Sequence, residues 1–304
     1  MAFFPTSILH LRDIQGVGVG ATAIINCPKG PRYRRIILEL QDSGFGSTAA
    51  PAVSAITNTD IKVVLGSKVI RRALGTQIDL INTTNGAQYA SYGVAGAANG
   101  GGITYLPIFF EEPWRKRADF QNGLALETGW LGGNDVFQIQ VPIQGTTTTP
   151  VLNAYAIVDG FSSGNPNPIM KWVPNDVNTA AATLSLNNLF QGAPATDLVE
   201  SMALLNTSDA KFVSKARLIM NNTVILDDVT FDEQTVMLKN ADMNPTGSSV
   251  AGANAYHIVF DHDDLFESLR LVKSVTQSEL DLTFSAASAG TMRMITQRLG
   301  DPTQ

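Results

Sequence analysis

Three histidines, His10, His257 and His262, are the residues best suited to hold a catalytic metal ion. A metal centre of the cupin type needs two or three histidines and a carboxylate that converge on one ion. His257 and His262 are five residues apart across the end of a predicted strand, so they would lie on opposite faces if the strand continued. This spacing argues against a catalytic metal site.

Other catalytic arrangements are missing from the sequence as well. The only cysteine is Cys27, and no Ser-His-Asp, Cys-His or P-loop arrangement can be assembled. Gly16, Gly18 and Gly20 are not spaced as G-x-G-x-x-G, and no strand precedes them, which argues against a nucleotide-binding loop. The sequence therefore predicts a protein that is not an enzyme and has no catalytic, cofactor-binding or metal-ligating residues.

One acidic run, which contains Asp261, Asp263 and Asp264, is a candidate for a structural ion. Carboxylate oxygens are ligands that Ca²⁺ prefers, so a structural calcium ion is one interpretation. The other is that these acids cap a short helix, because negative charge is favoured at a helix N-terminus. We favour the helix cap and expect no other cofactor.

Two basic clusters stand out, Arg71 with Arg72 and Arg115 with Lys116 and Arg117. Each lies beside the end of a predicted helix or strand. In one interpretation these clusters contact acids of a neighbouring subunit or lipid head groups. In the other they are ordinary solvated surface charge.

The composition narrows the class of partner. The net charge of −6 and the isoelectric point near 5.1 argue against direct nucleic-acid binding, which needs a basic face. A single cysteine allows no intrachain disulfide, the first residues do not resemble a signal peptide, and no apolar run approaches the ~20 residues that span a bilayer. We therefore expect the chain to be synthesised and to fold in a cytoplasm. Trp114, Trp130 and Trp172 are expected to be core or interface anchors rather than sugar-stacking platforms.

Two β-hairpins organise the rest of the chain. Residues 61–71 consist of two β-branched runs around Gly66 and Ser67, and glycine at the first turn position suits a type II′ turn. Residues 216–226 repeat the pattern around Asn221 and Asn222, and asparagine tolerates left-handed conformations. A hairpin that recurs half a chain later indicates that one fold occurs twice.

The order of the other elements supports this duplication. The predicted strands of the first half are 21–25, 33–40, the hairpin 61–71, 103–110, 124–130, 136–143 and 151–158, and those of the second half are 183–189, 198–205, the hairpin 216–226, 256–260, 269–275, 280–284 and 292–295. Thr76 is predicted to cap a helix after the first hairpin, and Thr230 with Glu233 forms a capping box after the second. Glu111 and Asp261 are each predicted to open a further short helix.

Alternating apolar residues define one buried face in each half, as in 137–141 and 280–284. Seven side chains are predicted to point into the cores: Val63, Leu65, Ile139, Val141, Leu218, Leu282 and Phe284.

These patterns predict an all-β fold of two tandem eight-stranded jelly-roll sandwiches with short helices in the loops. The predicted boundaries are an N-terminal arm at 1–15, a first jelly roll at 16–160, a linker at 161–174 and a second jelly roll at 175–304. A pair of immunoglobulin-like sandwiches is the alternative. Such domains seldom carry two helices at matching places, and the Cys-Trp-Cys framework is missing.

The order and spacing of the elements resemble those of the double jelly-roll major capsid proteins of tailless icosahedral bacteriophages that enclose a membrane. The corticovirus capsid protein and its relatives among small lipid-containing phages are the most similar. The likeness runs through 61–85, 105–122, 137–143 and their second-half equivalents at 216–286.

This resemblance implies a structural major capsid protein located in the virion shell. It implies that three copies join into a capsomer whose six jelly rolls have a nearly hexagonal outline. The implied partners are neighbouring capsomers, penton and minor capsid proteins, and the surface of the internal membrane.

A receptor-binding or glycan-binding viral spike is the alternative function, because jelly rolls serve both roles. Spikes tend to carry a fibrous shaft or a distinct attachment segment, and neither is evident in the sequence. The N-terminal arm, with Phe3, Phe4, Ile8 and Leu9, is predicted to have no counterpart in the second half. We expect it to pack beneath a subunit or against the membrane.

Overall fold

Antiparallel strands make up most of the regular structure. The computed structural model describes residues 6–43, 52–86, 92–94, 102–115, 121–160, 163–179, 182–206, 213–245, 255–260, 270–285 and 290–303. Apart from the last two residues, the chain divides into a first unit of 1–82 and 87–169 and a second unit of 83–86 and 170–302.

The first unit holds eleven of the described strands and two helices. The strands are β1 (Thr6–Leu11), β2 (Ile14–Gln15), β3 (Thr22–Asn26), β4 (Arg32–Asp42), β5 (Asp60–Leu65), β6 (Lys68–Leu74), β7 (Tyr92–Val94), β8 (Ile103–Phe109), β9 (Leu126–Glu127), β10 (Phe137–Pro142) and β11 (Pro150–Asp159). The helices are α1 (Val53–Ile56) and α2 (Gly75–Thr84), and the last residues of α2 are grouped with the second unit.

Nine described strands and one α-helix follow. The strands are β12 (Ile169–Asn178), β13 (Thr183–Asn187), β14 (Leu198–Asn206), β15 (Val213–Met220), β16 (Thr223–Thr230), β17 (Ala255–Val259), β18 (Arg270–Leu271), β19 (Ser278–Phe284) and β20 (Thr291–Gly300). The helix is α3 (Phe231–Asn240), and a 3₁₀ helix spans Val272–Ser274.

Strand pairing is the same in both units. Within the first unit the strands pair in the orders β1–β11–β4–β8–β7 and β6–β5–β10–β3–β2, and β9 adds to β4. Within the second unit the orders are β12–β20–β14–β17 and β16–β15–β19–β13, and β18 adds to β14. Apart from the short strands β2, β7, β9 and β18, each unit contains two groups of four antiparallel strands. This arrangement confirms the jelly-roll prediction for each half.

The repetition extends to a β-bulge. Arg34 is the extra residue where β4 pairs with β11, and Glu200 is the extra residue where β14 pairs with β20. The carbonyl oxygen of Arg34 accepts a hydrogen bond from Phe110 N–H at 2.8 Å, and that of Glu200 accepts one from Phe260 N–H at 2.9 Å. Bulges redirect a strand at a fixed point, so the two units share this local distortion as well as their topology.

Aliphatic and aromatic side chains fill the interior of each unit. All seven side chains predicted to face a core are buried, and Phe284 is the most exposed of them at 5%. In the second unit, Leu218, Leu280, Leu282 and Phe284 belong to one continuous apolar cluster. The predicted alternation and register are therefore confirmed.

Both predicted hairpins are present, and their turns have the predicted geometry. Gly66 has φ +62°, as the first position of a type II′ turn requires. Asn221 and Asn222 have φ +50° and +63°, which is the type I′ arrangement. The predicted capping box at Thr230 and Glu233 also opens α3.

The start of α2 differs from the prediction. The helix begins at Gly75, so Thr76 lies inside it and does not cap it. Leu74 N–H instead donates to Gln77 Oε1 at 3.0 Å. Glycine is required at this point because a Cβ on Gly75 would clash with the Val53 side chain.

Residues 111–115 form a turn, and Gln121 is helical. Residues 116–120 lie outside the described residues, so the short helix predicted to open at Glu111 stays a prediction. The strands predicted at 124–130 and 269–275 are reduced to the two-residue β9 and β18. The helix predicted at Asp261 lies outside the described residues.

Each unit contains one main strand that was not predicted. In the first unit this strand lies in the predicted N-terminal arm, and in the second it begins in the predicted linker. Thr6–Leu11 forms β1, which pairs with β11 along its whole length, and Leu11 is buried. β12 begins within the expected linker and takes the same place beside β20. The prediction that the arm has no counterpart is therefore wrong for residues 6–11. Phe3 and Phe4 lie outside the described residues.

One turn residue has a second role that the hairpin pattern did not indicate. Asn221 Oδ1 accepts hydrogen bonds from Thr276 N–H at 2.8 Å and from Gln277 N–H at 3.2 Å. Asn222 supplies only its left-handed backbone to the turn. Asn221 therefore fixes the loop before β19 as well as its own turn.

We expect Asn221→Gly to destabilise the protein and Asn222→Gly to leave stability nearly unchanged. Glycine preserves both left-handed conformations, but the first change removes the side-chain oxygen that accepts from Thr276 and Gln277, at a cost of ~0.5–1.5 kcal/mol. Chemical unfolding of both variants measures the difference. Equal unfolding midpoints would contradict the role assigned to the Asn221 side chain.

Candidate assembly surface

The two described histidines lie in different environments. His10, on β1, stacks on Tyr155 with ring centroids 4.7 Å apart. His257, on β17, is buried, and its Nε2 lies 3.0 Å from Thr84 Oγ1. Burial lowers the pKa of His257 to about 4, so the ring is neutral at neutral pH.

Within the described parts of the chain, no three His, Cys, Asp or Glu side chains are placed to hold a metal ion. His262, Asp261, Asp263 and Asp264 lie outside the described residues. The choice between a calcium ion and a helix cap at that run stays a prediction.

In each basic cluster one arginine is buried, which corrects both interpretations for Arg71 and Arg115, whereas Arg72 is exposed. Arg71 is 5% exposed, donates through Nη1 to Phe109 O and lies 5.1 Å from the Phe110 ring centroid. Arg72 pairs with Asp60. Arg115 is 4% exposed, and its Nε lies 2.7 Å from Glu112 Oε2. Lys116 and Arg117 lie outside the described residues.

The tryptophans are packing groups, as predicted. Trp172 is buried, and Trp114 packs edge-on against Phe109 at 5.6 Å between ring centroids. Trp130 Nε1 donates to Glu127 O at 2.8 Å. None of the three rings is an open platform for a sugar.

A buried ionic cluster closes one end of the β4–β11 ladder. Asp159 is 5% exposed, and its carboxylate accepts a hydrogen bond from Arg34 Nε at 2.8 Å. Arg32 lies between two acids, with its Nε 3.1 Å from Glu127 Oε1 and its Nη1 3.7 Å from Asp159 Oδ2. Burial raises the pKa of neighbouring Glu111, although Arg35 acts in the opposite direction. These pairs hold the end of the ladder in register.

The second unit has a cluster of reversed polarity at the equivalent place. Asp197, which precedes β14, is fully buried. Its Oδ1 lies 3.2 Å from Lys171 Nζ, and its Oδ2 lies 3.9 Å from Arg298 Nη1 on β20. In the first unit the arginines are on β4 and Asp159 is on β11. In the second unit the acid precedes β14 and Arg298 is on β20. The two ladders are thus closed by the same device with the charges exchanged.

Sequence reasoning missed both clusters because their members are far apart in the chain. Arg34 and Asp159 are separated by 125 positions. A basic run inside a predicted strand, at Arg34 and Arg35, was the one available signal.

Exposed aliphatic residues occur on outer strands of each unit. Ile8 on β1 is 77% exposed, and Val173 on β12 is 38% exposed. Val69 on β6 is 51% exposed, and Val224 on β16 is 45% exposed. Val69 and Val224 are both the second residue after their hairpin turns, so the exposure is repeated at an equivalent position.

Helix α3 adds two further exposed apolar side chains, Val236 and Met237, while Leu238 is buried. No helix among the described residues is long and apolar enough to cross a bilayer. These exposed apolar side chains are candidates for contacts between copies of the chain.

We expect the stability of the wild-type protein to fall as pH drops from 6.5 towards 4. In that interval the unfolded chain binds a proton at His257 and the folded chain does not, which amounts to as much as ~3 kcal/mol. Unfolding of His257→Gln should lack this part of the pH dependence, whereas His10→Gln should keep it. An unchanged pH dependence in His257→Gln would contradict the neutral buried histidine.

Comparison with known proteins identifies the class of the chain. The profile of the viral coat protein P2 N-terminal domain matches residues 8–159. The major capsid protein P2 from bacteriophage PM2 is 17% identical, with a TM-score of 0.76 over 98% of each chain. The PBCV-1 virus capsid protein is 11% identical, with a TM-score of 0.65 over 99% of this chain and 98% of that one. A chain from the atomic structure of Sulfolobus Turreted Icosahedral Virus is 12% identical, with a TM-score of 0.66 over 98% of this chain and 91% of that one.

No curated protein sequence matches the chain closely enough to count as a relative. The structural likenesses confirm the double jelly-roll fold. The match to the coat-protein family runs from Ile8, within β1, to Asp159 at the end of β11, and it spans half of the 304-residue chain. The chain therefore belongs to the viral coat protein P2 N-terminal domain family, and it is a structural protein of a viral capsid shell rather than an enzyme.

Proposed function

We propose that this coat protein is the major capsid protein of its virus and that three copies form one capsomer. The observation that carries the proposal is the repetition of a complete eight-stranded unit within one chain. Three chains supply six such units, which gives a nearly hexagonal outline. A tile of that shape covers a facet without gaps, and identical tiles can repeat through modest contacts.

The likeness to a phage major capsid protein supports this role. It extends over almost the full length of both chains, so neither jelly roll is left without a counterpart. A receptor-binding spike has no such support, because neither the family match nor the lateral exposed residues indicate an attachment segment.

The proposed partners are neighbouring capsomers, penton and minor capsid proteins, and the surface of an internal membrane. Contact with lipid would not use Arg71 or Arg115, since both guanidinium groups have partners within their own unit. We propose that any contact with the membrane is peripheral and uses the base of the capsomer.

We expect light scattering on the purified protein to give three times the chain mass of 32.5 kDa. We also expect this chain to dominate the protein content of purified particles, because a shell needs many copies and a spike needs few. A stable monomer at micromolar concentration, or a minor share of the particle protein, would contradict the proposal.

A further inference from the structure

We propose that the outer edge of β1 in one copy of the chain pairs with the outer edge of β16 in a second copy. This inference rests on the proposed function, because it assigns the contact that joins copies into a capsomer. Each strand ends the pairing order of its own group, and no other described strand pairs with its outer side. Open edges of this kind are usually covered, since their free N–H and C=O groups attract other strands.

The side chains of β1 indicate that its edge is covered in the assembly. Leu11 faces the core, whereas Ile8 and His10 lie on the opposite face of the strand. Ile8 pairs across the ladder with Ile157 and is otherwise 77% exposed. A strand added to the free side would place a third side chain next to Ile8, at the cross-strand spacing of ~5 Å.

β16 is the most suitable partner edge in the second unit. It is a long strand of eight residues, and only one side of it is paired, with β15. Val224 supplies an exposed aliphatic side chain on this edge strand. In a contact between the two edges, Ile8 and Val224 would bury each other, whereas each is exposed within its own unit.

The charges of the two edges are complementary. From Thr6 to Arg12 the β1 segment contains His10 and Arg12 but no acid. β16 contains Asp227 and Asp228 and no base. Asp228 pairs with Lys215 of β15 at 2.8 Å, whereas Asp227 lies 3.8 Å from Arg217 and its side chain is still 81% exposed. Charge therefore favours contact between the β1 edge and the β16 edge.

The contact joins unlike edges, so each copy offers one β1 edge and accepts at one β16 edge. A contact between unlike surfaces continues from copy to copy until a ring closes, whereas a contact between like surfaces stops at two copies. A closed ring of three is what the proposed capsomer requires.

Cross-linking tests which edges meet. Ile8→Cys and Val224→Cys are introduced together and treated with a short flexible bismaleimide, which tolerates a small uncertainty in register. Cys27 is buried and serves as an unreactive background in the wild-type protein. We expect covalent trimers from the double variant, covalent pairs from a mixture of the two single variants, and no product from either single variant alone.

A matched control uses Val19, which is 50% exposed and lies in the turn before β3. Val19→Cys with Val224→Cys should give no covalent trimer. A cross-linked product from either single variant alone would show that like edges meet, and it would overturn the proposed contact between unlike edges. If light scattering shows trimers but the double variant gives no product, the edge contact is wrong and the capsomer proposal stands. If the wild-type protein is a monomer, both fail.

A charge substitution provides a second readout. Ile8→Asp should weaken trimer association by about tenfold or more, because it places a like charge beside Asp227 and Asp228. Ile8→Arg should weaken it less, and Val19→Asp should leave it unchanged. Equal weakening by Ile8→Asp and Ile8→Arg would show that β1 does not face the acidic edge.

Discussion

Each unit depends on one long antiparallel ladder, β4 with β11 in the first and β14 with β20 in the second. These ladders pair residues that are distant in the chain, 127 positions apart for Arg32 and Asp159 and 86 for Asn206 and Met292. Hydrophobic burial sets which face of each strand points inward. A slip of one residue along the ladder would turn every side chain of the strand to the opposite face. The bulges at Arg34 and Glu200 and the buried ionic clusters fix that register. Removing one partner of such a cluster leaves a buried charge uncompensated, which typically costs ~3–5 kcal/mol.

The reversal of charge between the two clusters shows what the duplication preserves. The bulge, the ladder and the buried ion pair recur, but the acid is Asp159 on the β11 side of one unit and Asp197 on the β14 side of the other. The geometry of a closed ladder end therefore matters more than the sign at each position. The edge strands of the two units differ as well, since β1 in the first unit contains no acid and β16 in the second contains Asp227 and Asp228. A duplicated fold with unlike edges is suited to assembly in one direction around a ring.

Local signals in the sequence were enough for the hairpins, the capping box at Thr230 and the inward faces of β10 and β19. Each of these depends on residues within a few positions of one another, where backbone preference and alternation act directly. The first strands, β1 and β12, were predicted to be an arm and a linker because their pattern is irregular and only pairing with distant strands makes them part of a sheet. Arg71 and Arg115 were candidates for external contacts. The partner of Arg71, the Phe109 carbonyl of β8, is 38 residues away and becomes evident only once the chain is folded. The partner of Arg115, Glu112, is three residues away, so this pair was available in the sequence and was missed.

We propose that this chain builds a shell from rings of paired jelly rolls. A reconstruction of purified particles by electron microscopy would show both the copy number and the arrangement of the units. We expect threefold capsomers that each contain six jelly-roll densities and together form most of the shell. Dimeric or pentameric tiles, or density for this chain confined to a few projecting positions, would contradict it.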